Sequence, residues 1–338
     1  MEKKLYIITN ESFYHQDNNY YCDNIDLKSI PEGLSKYSET YIIGRKSNVF
    51  RSKKVEIQKI RILSNIFSYL FSLMKSFRDK KSYYLIISIS PYTFFASLFL
   101  KIFFKKHFIY LRSDGYEEYK AILGFIGPFI YHLMFSIAAV NSNLISCRKH
   151  ILKNKKGEIV HPSQLNKKWF AASQDLDFKK IKLLYVGRIR VEKGIYSLLE
   201  IIKNSELELI VVTPEKDTRV KSTPKNVTIV NCENYNDSII EFYDKNCIFI
   251  LPSFTEGHPQ VLDEALARNR PVIIFKEISH VLRDRKGIFI SNRDTDSLMK
   301  TIQHIETNYE KIKEEMKKNK LPMKENFIIE LKNIIFRN

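Results

Sequence analysis

The stretch FILPSFTEGHPQVLDEALARNRPVIIF, residues 249–275, carries the residue types and spacing best suited to chemistry. An apolar run ends at Leu251, and the loop after it holds Glu256, Gly257 and His258. Pro259 then stands where a helix favours proline, at its first position. The N–H groups of Gln260, Val261 and Leu262 are expected to point out of the helix start, an anion site built without side chains. Glu264 falls into that helix roughly 7.5 Å along its axis, about the distance from a nucleotide's phosphates to its ribose. A carboxylate there can accept both hydroxyls of a ribose diol. Glu256, ahead of the helix, would face a sugar on the far side of the diphosphate. Asp263, about 100° round the helix from Glu264, is expected to be a solvated or packing residue.

A second stretch, LLYVGRIRVEKGIYSLLEII at 183–202, pairs with the first. A buried strand is expected to end at Val186. Gly187 lets the backbone turn and a ligand approach, and Arg188 and Lys193 flank the turn into a helix. Two cations at a strand end suit a diphosphate; the same residues also read as a βα turn with surface charges. Two D-x-D triplets, Asp175/Asp177 and Asp294/Asp296, have the spacing of a metal-dependent transferase. The first falls in a linker and the second opens a helix, where Asp is an ordinary cap. No metal site is expected.

The elements that must hold these loops follow from hydropathy. Short apolar runs at 4–9, 40–44, 83–89, 107–112, 143–146 and 158–160 alternate with helix-like segments, and so do 181–186, 207–213, 227–230, 247–251, 271–275 and 287–290. Continuous apolar strands are buried on both faces, which predicts parallel sheets covered by helices. The polar stretch 161–180 is the expected linker. The chain then reads as an N-terminal Rossmann-like domain over 1–165, a second over 166–322, and a helix over 323–338 that returns to the first. Ligand sites in such sheets lie at the carboxyl ends of the strands.

Composition narrows the classes. The chain has 338 residues, 44% hydrophobic and 28% charged, which excludes general disorder. The four cysteines form no C-x-x-C pair, so neither a disulfide framework nor a zinc knuckle is expected, and a reducing cytoplasm is the default. The opening MEKKLYIITN has an apolar run too short for a secretory leader and reads as a first strand. The net charge of +17 is lopsided. Residues 1–170 hold 27 Lys and Arg against 13 Asp and Glu; residues 171–338 hold 28 against 25. Residues 46–81 read as a basic amphipathic helix, and 93–112 mix aromatics with lysines. Such faces suit an anionic membrane surface; the alternative is a domain core with a solvated rim. Residues 121–147 hold no Asp, Glu, Lys or Arg, but Gly124, Gly127 and Pro128 argue for a buried or interfacial helix over a span. Nucleic-acid recognition motifs are absent.

Together, GRIRVEKG and PSFTEGHPQVLDEALARNRPVI resemble the family-4 retaining glycosyltransferases of the GT-B fold. The resemblance covers about 180–300: an E-x7-E pair, Glu256 and Glu264, follows a G-R-x4-K turn, Gly187, Arg188 and Lys193. It implies an α/β protein of two Rossmann-like domains facing a central cleft. It further implies transfer of a hexose-type sugar from a nucleotide diphosphate, with retention and without a metal or other cofactor. Glu256, Arg188 and Lys193 would be catalytic. Gly187, Gly257, His258, Pro259, Gln260, Val261, Leu262 and Glu264 would bind the donor, and the loop at 231–237 the base. Asp114, after the strand at 107–112, is the candidate for contacting the acceptor, or else a turn residue. The implied acceptor is a glycan or lipid-linked saccharide of bacterial capsule or lipopolysaccharide synthesis, at the inner face of the cell membrane. Alternatives are a GT-B nucleotide-sugar epimerase and a catalytically silent GT-B scaffold subunit.

Overall fold

The computed structural model of the chain describes residues 3–79, 81–171, 173, 176, 181–214, 223–232 and 238–337. Two compact units emerge: residues 1–162 with 324–338, and residues 163–323. The sequence-based divisions, at 165/166 and 322/323, lie close to these.

The first unit is built on strands β1 (Lys4–Gln16), β2 (Asn19–Cys22), β3 (Glu39–Lys46), β4 (Lys53–Val55), β5 (Ile60–Leu63), β6 (Ser82–Ile87), β7 (His107–Leu111), β8 (Asn143–Ser146) and β9 (Gly157–Ile159). Seven of them pair in parallel in the order β5-β3-β1-β6-β7-β8-β9, while β2 and β4 extend the far end of β1 as antiparallel strands. Successive side chains on a strand face opposite ways, and β1 shows it. Leu5 and Ile7 enter a core with Leu27 and Ile30 of α1 (Ile25–Leu34). Tyr6 and Ile8 enter another with Tyr69 of α2 (Ile66–Lys75), Leu100 of α3 (Pro91–Ile102) and Phe135. The sheet is thus buried on both faces.

The expected long helix over 46–81 is a correction. Among the described residues there, only α2 and a 3-10 turn after it at Ser76–Arg78 are helical; α2 is started by Asn65, whose side chain accepts from the Ser68 N–H at 2.9 Å. The residues before it form β4 and β5. In VEIQKIRIL the apolar residues Val55, Ile57, Ile60 and Ile62 follow a strand's short period, and basic composition hid it.

The uncharged stretch enters at the end of α4 (Gly115–Leu123) and supplies all of α5 (Gly127–Ala139), and the two helices form a hairpin. By length and composition, residues 115–139 could cross a bilayer. In a straight helix Tyr116 and Phe135 would stand about 28 Å apart; their rings lie 6.1 Å apart, and those of Tyr116 and Tyr131 4.9 Å. Gly124, at φ +66°, makes the reversal. Gly127 lets the two arms touch, since a Cβ there would lie 1.9 Å from the Tyr119 carbonyl oxygen.

The second unit has six parallel strands: β10 (Lys182–Val186), β11 (Glu208–Thr213), β12 (Val227–Asn231), β13 (Ile248–Leu251), β14 (Val272–Phe275) and β15 (Ile288–Ser291). Their order is β12-β11-β10-β13-β14-β15. The helices are α6 (Ile195–Ile202), α7 (Ser238–Lys245), α8 (Gln260–Ala267), α9 (Thr295–Thr307) and α10 (Tyr309–Met316). From β10 the chain winds outward through β11 and β12, then returns to the other side of β10 at β13. The strand order therefore reverses between β10 and β13, which opens a crevice at their carboxyl ends. The expected linker is partly core: Trp169 is buried against the Tyr243 ring at 5.5 Å, and Arg268 donates to its carbonyl.

The last helix, α11 (Lys324–Ile335), belongs to the first unit. Phe327, Ile328, Leu331 and Ile335 join the core shared with α1.

Candidate active site

Both stretches singled out in the sequence leave the sheet at the reversal point. After β10, Gly187 and Arg188 lead into a short turn at Val191–Lys193, closed by Gly194. Gly194 sits in the left-handed region at φ +67°, and a Cβ there would lie 1.9 Å from the Pro252 carbonyl oxygen. This glycine lets the β10 loop lie directly on the β13 loop. The Phe254 N–H then donates to the Glu192 carbonyl at 3.0 Å, tying the two together.

That contact brings distant charges together. The Lys193 ammonium donates to Glu256 Oε1 at 2.6 Å. The buried Ser253 hydroxyl donates to the same oxygen at 2.6 Å. The Glu256 side chain is only 9% exposed, so its charge depends on these two donors more than on water. The His280 ring bonds the Glu256 carbonyl at 2.9 Å. Arg188 is exposed, with no ion pair among the described residues, and its carbonyl accepts from the Tyr185 hydroxyl at 2.7 Å. It adds an exposed positive charge to the same β10 loop that carries Lys193.

Below the same loop Arg293, just past β15, stacks on Phe254 and Phe275, with its guanidinium 4.2 and 4.3 Å from the ring centroids. Its Nε donates to Glu277 at 2.8 Å. The cation braces the segment that carries Ser253 and Glu256.

The α8 start differs from expectation in two details. Pro259 is the residue before the helix, at φ −75° and ψ 100°, rather than its first turn. The Leu262 N–H donates to the Pro259 carbonyl at 3.2 Å, so Leu262 leaves the set of outward donors. Gln260 and Val261 occupy the first turn, and Gly257, which has nothing within 4 Å of where a Cβ would go, lies ahead in open space. His258 lies 3.7 Å from Asp263. Of the two expected roles for Asp263, solvated or packing, the structure has the second: it is buried and bonded by Arg285.

Glu264 is also nearly buried, at 8% exposure, and accepts from the Tyr243 hydroxyl at 2.9 Å. That phenol reaches the Val261 carbonyl at 3.3 Å as well. Tyr243 therefore orients the carboxylate against the helix that carries it. No spacing in EFYDK signals this role. Gly194, by contrast, stood inside the GRIRVEKG stretch, where its turn was readable.

Asp114 lies in the first unit as the cap of α4. One carboxylate oxygen accepts from the Tyr116 N–H at 3.0 Å and the other from Lys153 at 2.9 Å. The first contact is that of a helix-starting residue; the second ties the carboxylate to a lysine 39 positions along the chain. Asp294 likewise caps α9, accepting from the Ser297 N–H at 2.8 Å. Asp175, Asp177 and residues 233–237 lie outside the described residues. Among the described residues no cluster of three or more His, Cys, Asp or Glu could hold a metal ion.

Similarity to known proteins bears on the family and the fold. Residues 166–323 match the family model of glycosyl transferases group 1. The putative teichuronic acid biosynthesis glycosyltransferase TuaC of Bacillus subtilis (strain 168) is 28% identical over 125 residues, 36% of this chain and 32% of that protein. The capsular polysaccharide biosynthesis glycosyltransferase CapM of Staphylococcus aureus is 24% identical over 212 residues, 52% and 56% of the two. The chain thus spans between a third and just over half of these relatives. Among solved structures, Anabaena HepE in complex with UDP superposes with a TM-score of 0.66 at 8% identity, over 98% of this chain and 95% of that one. Two Rossmann-like parallel-sheet units make this a GT-B chain.

Proposed function

We propose, for a chain whose residues 166–323 match the family model of glycosyl transferases group 1, that it moves a hexose-type sugar from a nucleotide diphosphate to an acceptor with retention, as family-4 enzymes do. The observation that carries this reading is the Lys193–Glu256 pair, 2.6 Å apart at the β10/β13 reversal, with exposed Arg188 in the same loop as Lys193. A departing nucleoside diphosphate gains negative charge. Arg188, Lys193 and the first N–H groups of α8 meet that charge with no metal. Glu256 holds the sugar hydroxyls and balances positive charge at the anomeric carbon. Glu264, oriented by Tyr243, takes the ribose hydroxyls. The acceptor attacks on the face the diphosphate leaves, and a phosphate oxygen receives its proton.

The polysaccharide context of TuaC and CapM supports a glycan or lipid-linked saccharide acceptor in surface-polysaccharide synthesis. The excess of cations in residues 1–170 supports electrostatic docking at the inner face of the cell membrane.

Thermal shift against nucleoside diphosphates tests the site. A binder at about 100 times its Kd adds about 2.7 kcal/mol, and we expect Arg188→Ala to weaken it about tenfold, one charge-assisted contact's worth. Equal shifts in both proteins would remove Arg188 from the site. Transfer is also expected to continue in EDTA; loss restored only by Mg²⁺ or Mn²⁺ would count against cationic side chains as the charge acceptors.

A further inference from the structure

In the first unit α5 carries no charged side chain among its described residues, and its polar ones are His132 and Ser136, with both His132 nitrogens bonded within the hairpin, to the Tyr116 and Ser136 hydroxyls. Tyr131, Met134 and Phe135 face the core, while Phe129, Leu133 and Ile137 are exposed. A helix this apolar belongs in a core or against lipid, and this one leaves part of its apolar surface outside the core. The hairpin tip continues the face: Ile122 is 73% exposed and Phe125 90%. Helices α2 and α3, packed on the same side of the sheet, expose Phe67 and Phe95. An apolar surface this continuous marks an interaction site.

Charge identifies the occupant. Residues 57–78, 80–113 and 119–157 contain no Asp or Glu and carry Lys75, Arg78, Lys105, Lys106 and Lys120, while the acids Asp114, Glu117 and Glu118 are confined to the start of α4, at the opposite end of that helix from the hairpin tip. A second copy would present the same positive charge and be repelled. An anionic bilayer complements both the charge and the apolar groups.

We infer that the α4–α5 hairpin inserts its tip into one leaflet of an anionic phospholipid membrane, with Phe125 and Phe129 among the acyl chains. The inference deepens the electrostatic docking proposed above and rests on it for approach to the surface. Depth is limited: α5 is about 20 Å long, short of the roughly 30 Å hydrocarbon core. The non-helical backbone at Gly124 keeps the tip's main chain at the headgroup boundary, so that only side chains such as Phe125 and Phe129 reach the acyl chains.

The test uses the full chain with Phe125→Trp; Trp169, the single native tryptophan, is buried and supplies a constant background. Vesicles are phosphatidylglycerol–phosphatidylcholine or phosphatidylcholine alone, with brominated acyl chains. We expect a blue shift and bromine quenching on anionic vesicles. Phe125→Asp with Phe129→Asp is expected to lower partitioning more than tenfold with Tm unchanged, since both side chains are exposed. Association without quenching overturns insertion and leaves electrostatic docking standing. Equal partitioning and quenching on both vesicle types upholds insertion and defeats electrostatic docking. No association with either vesicle defeats both. A blue shift on concentrating the protein alone, with doubled mass in light scattering, makes the occupant a second copy and overturns the proposal.

Discussion

Lys193→Met is expected to lower sugar transfer about 10²–10³-fold, the usual cost of removing one donor aimed at charge that develops in the transition state. Two effects combine in this variant. The leaving diphosphate loses a cation, and Glu256 keeps only Ser253 as a donor, with its side chain 9% exposed. Lys193 itself is 24% exposed, so the pair lies between a surface and a buried ion pair. A stability loss of about 1–2 kcal/mol follows. Adding Glu256→Gln removes the stranded carboxylate and should restore most of the Tm. Transfer should stay low, because the glutamine returns no positive charge. Steady-state kinetics and melting of both variants separate the roles. If the double variant regains transfer along with stability, Lys193 is a structural partner and the chemistry lies elsewhere.

Most strands were legible because burial on both sheet faces leaves no polar period to confuse. Leu183 to Val186 and Ile248 to Leu251 are uninterrupted apolar runs, and both are fully paired strands. What the runs could not reveal is order. That β13 lies beside β10 and not beyond β12 is a non-local fact, yet it alone brings Glu256 to Lys193. The E-x7-E spacing pointed to Glu264 as a ligand group but not to Tyr243, whose hydroxyl reaches it from another helix. Failures came where composition overrode period. The cations around β4 and β5 disguised two strands as a helix, whereas Asp263 had two open readings, solvated or packed, and its burial beside Arg285 selects the second. Pro259 shows a smaller limit: a proline one residue before a helix and one at its first turn have the same sequence signature, and only ψ separates them.

Gly194→Ala should damage transfer nearly as much as losing a charge, through backbone alone. A methyl group there meets the Pro252 carbonyl oxygen at 1.9 Å, and Arg293 Nη1 at 3.2 Å blocks a sideways escape. The left-handed φ of +67° adds about 1–2 kcal/mol of strain for any residue with a Cβ. The loop at 252–256 must therefore move outward by about an ångström, taking Ser253 and Glu256 away from Lys193. A misplacement of that size costs on the order of 10²-fold in rate, and the strain lowers Tm by several degrees. Gly257→Ala supplies the contrast. Nothing stands within 4 Å of its added methyl, so its stability should match the parent. If its backbone faces the donor as proposed, KM for the nucleotide sugar rises while Tm holds. Parent-like rates in Gly194→Ala would mean that the two loops need not touch for transfer, and the Lys193–Glu256 pair would then lose its claim to organise the site.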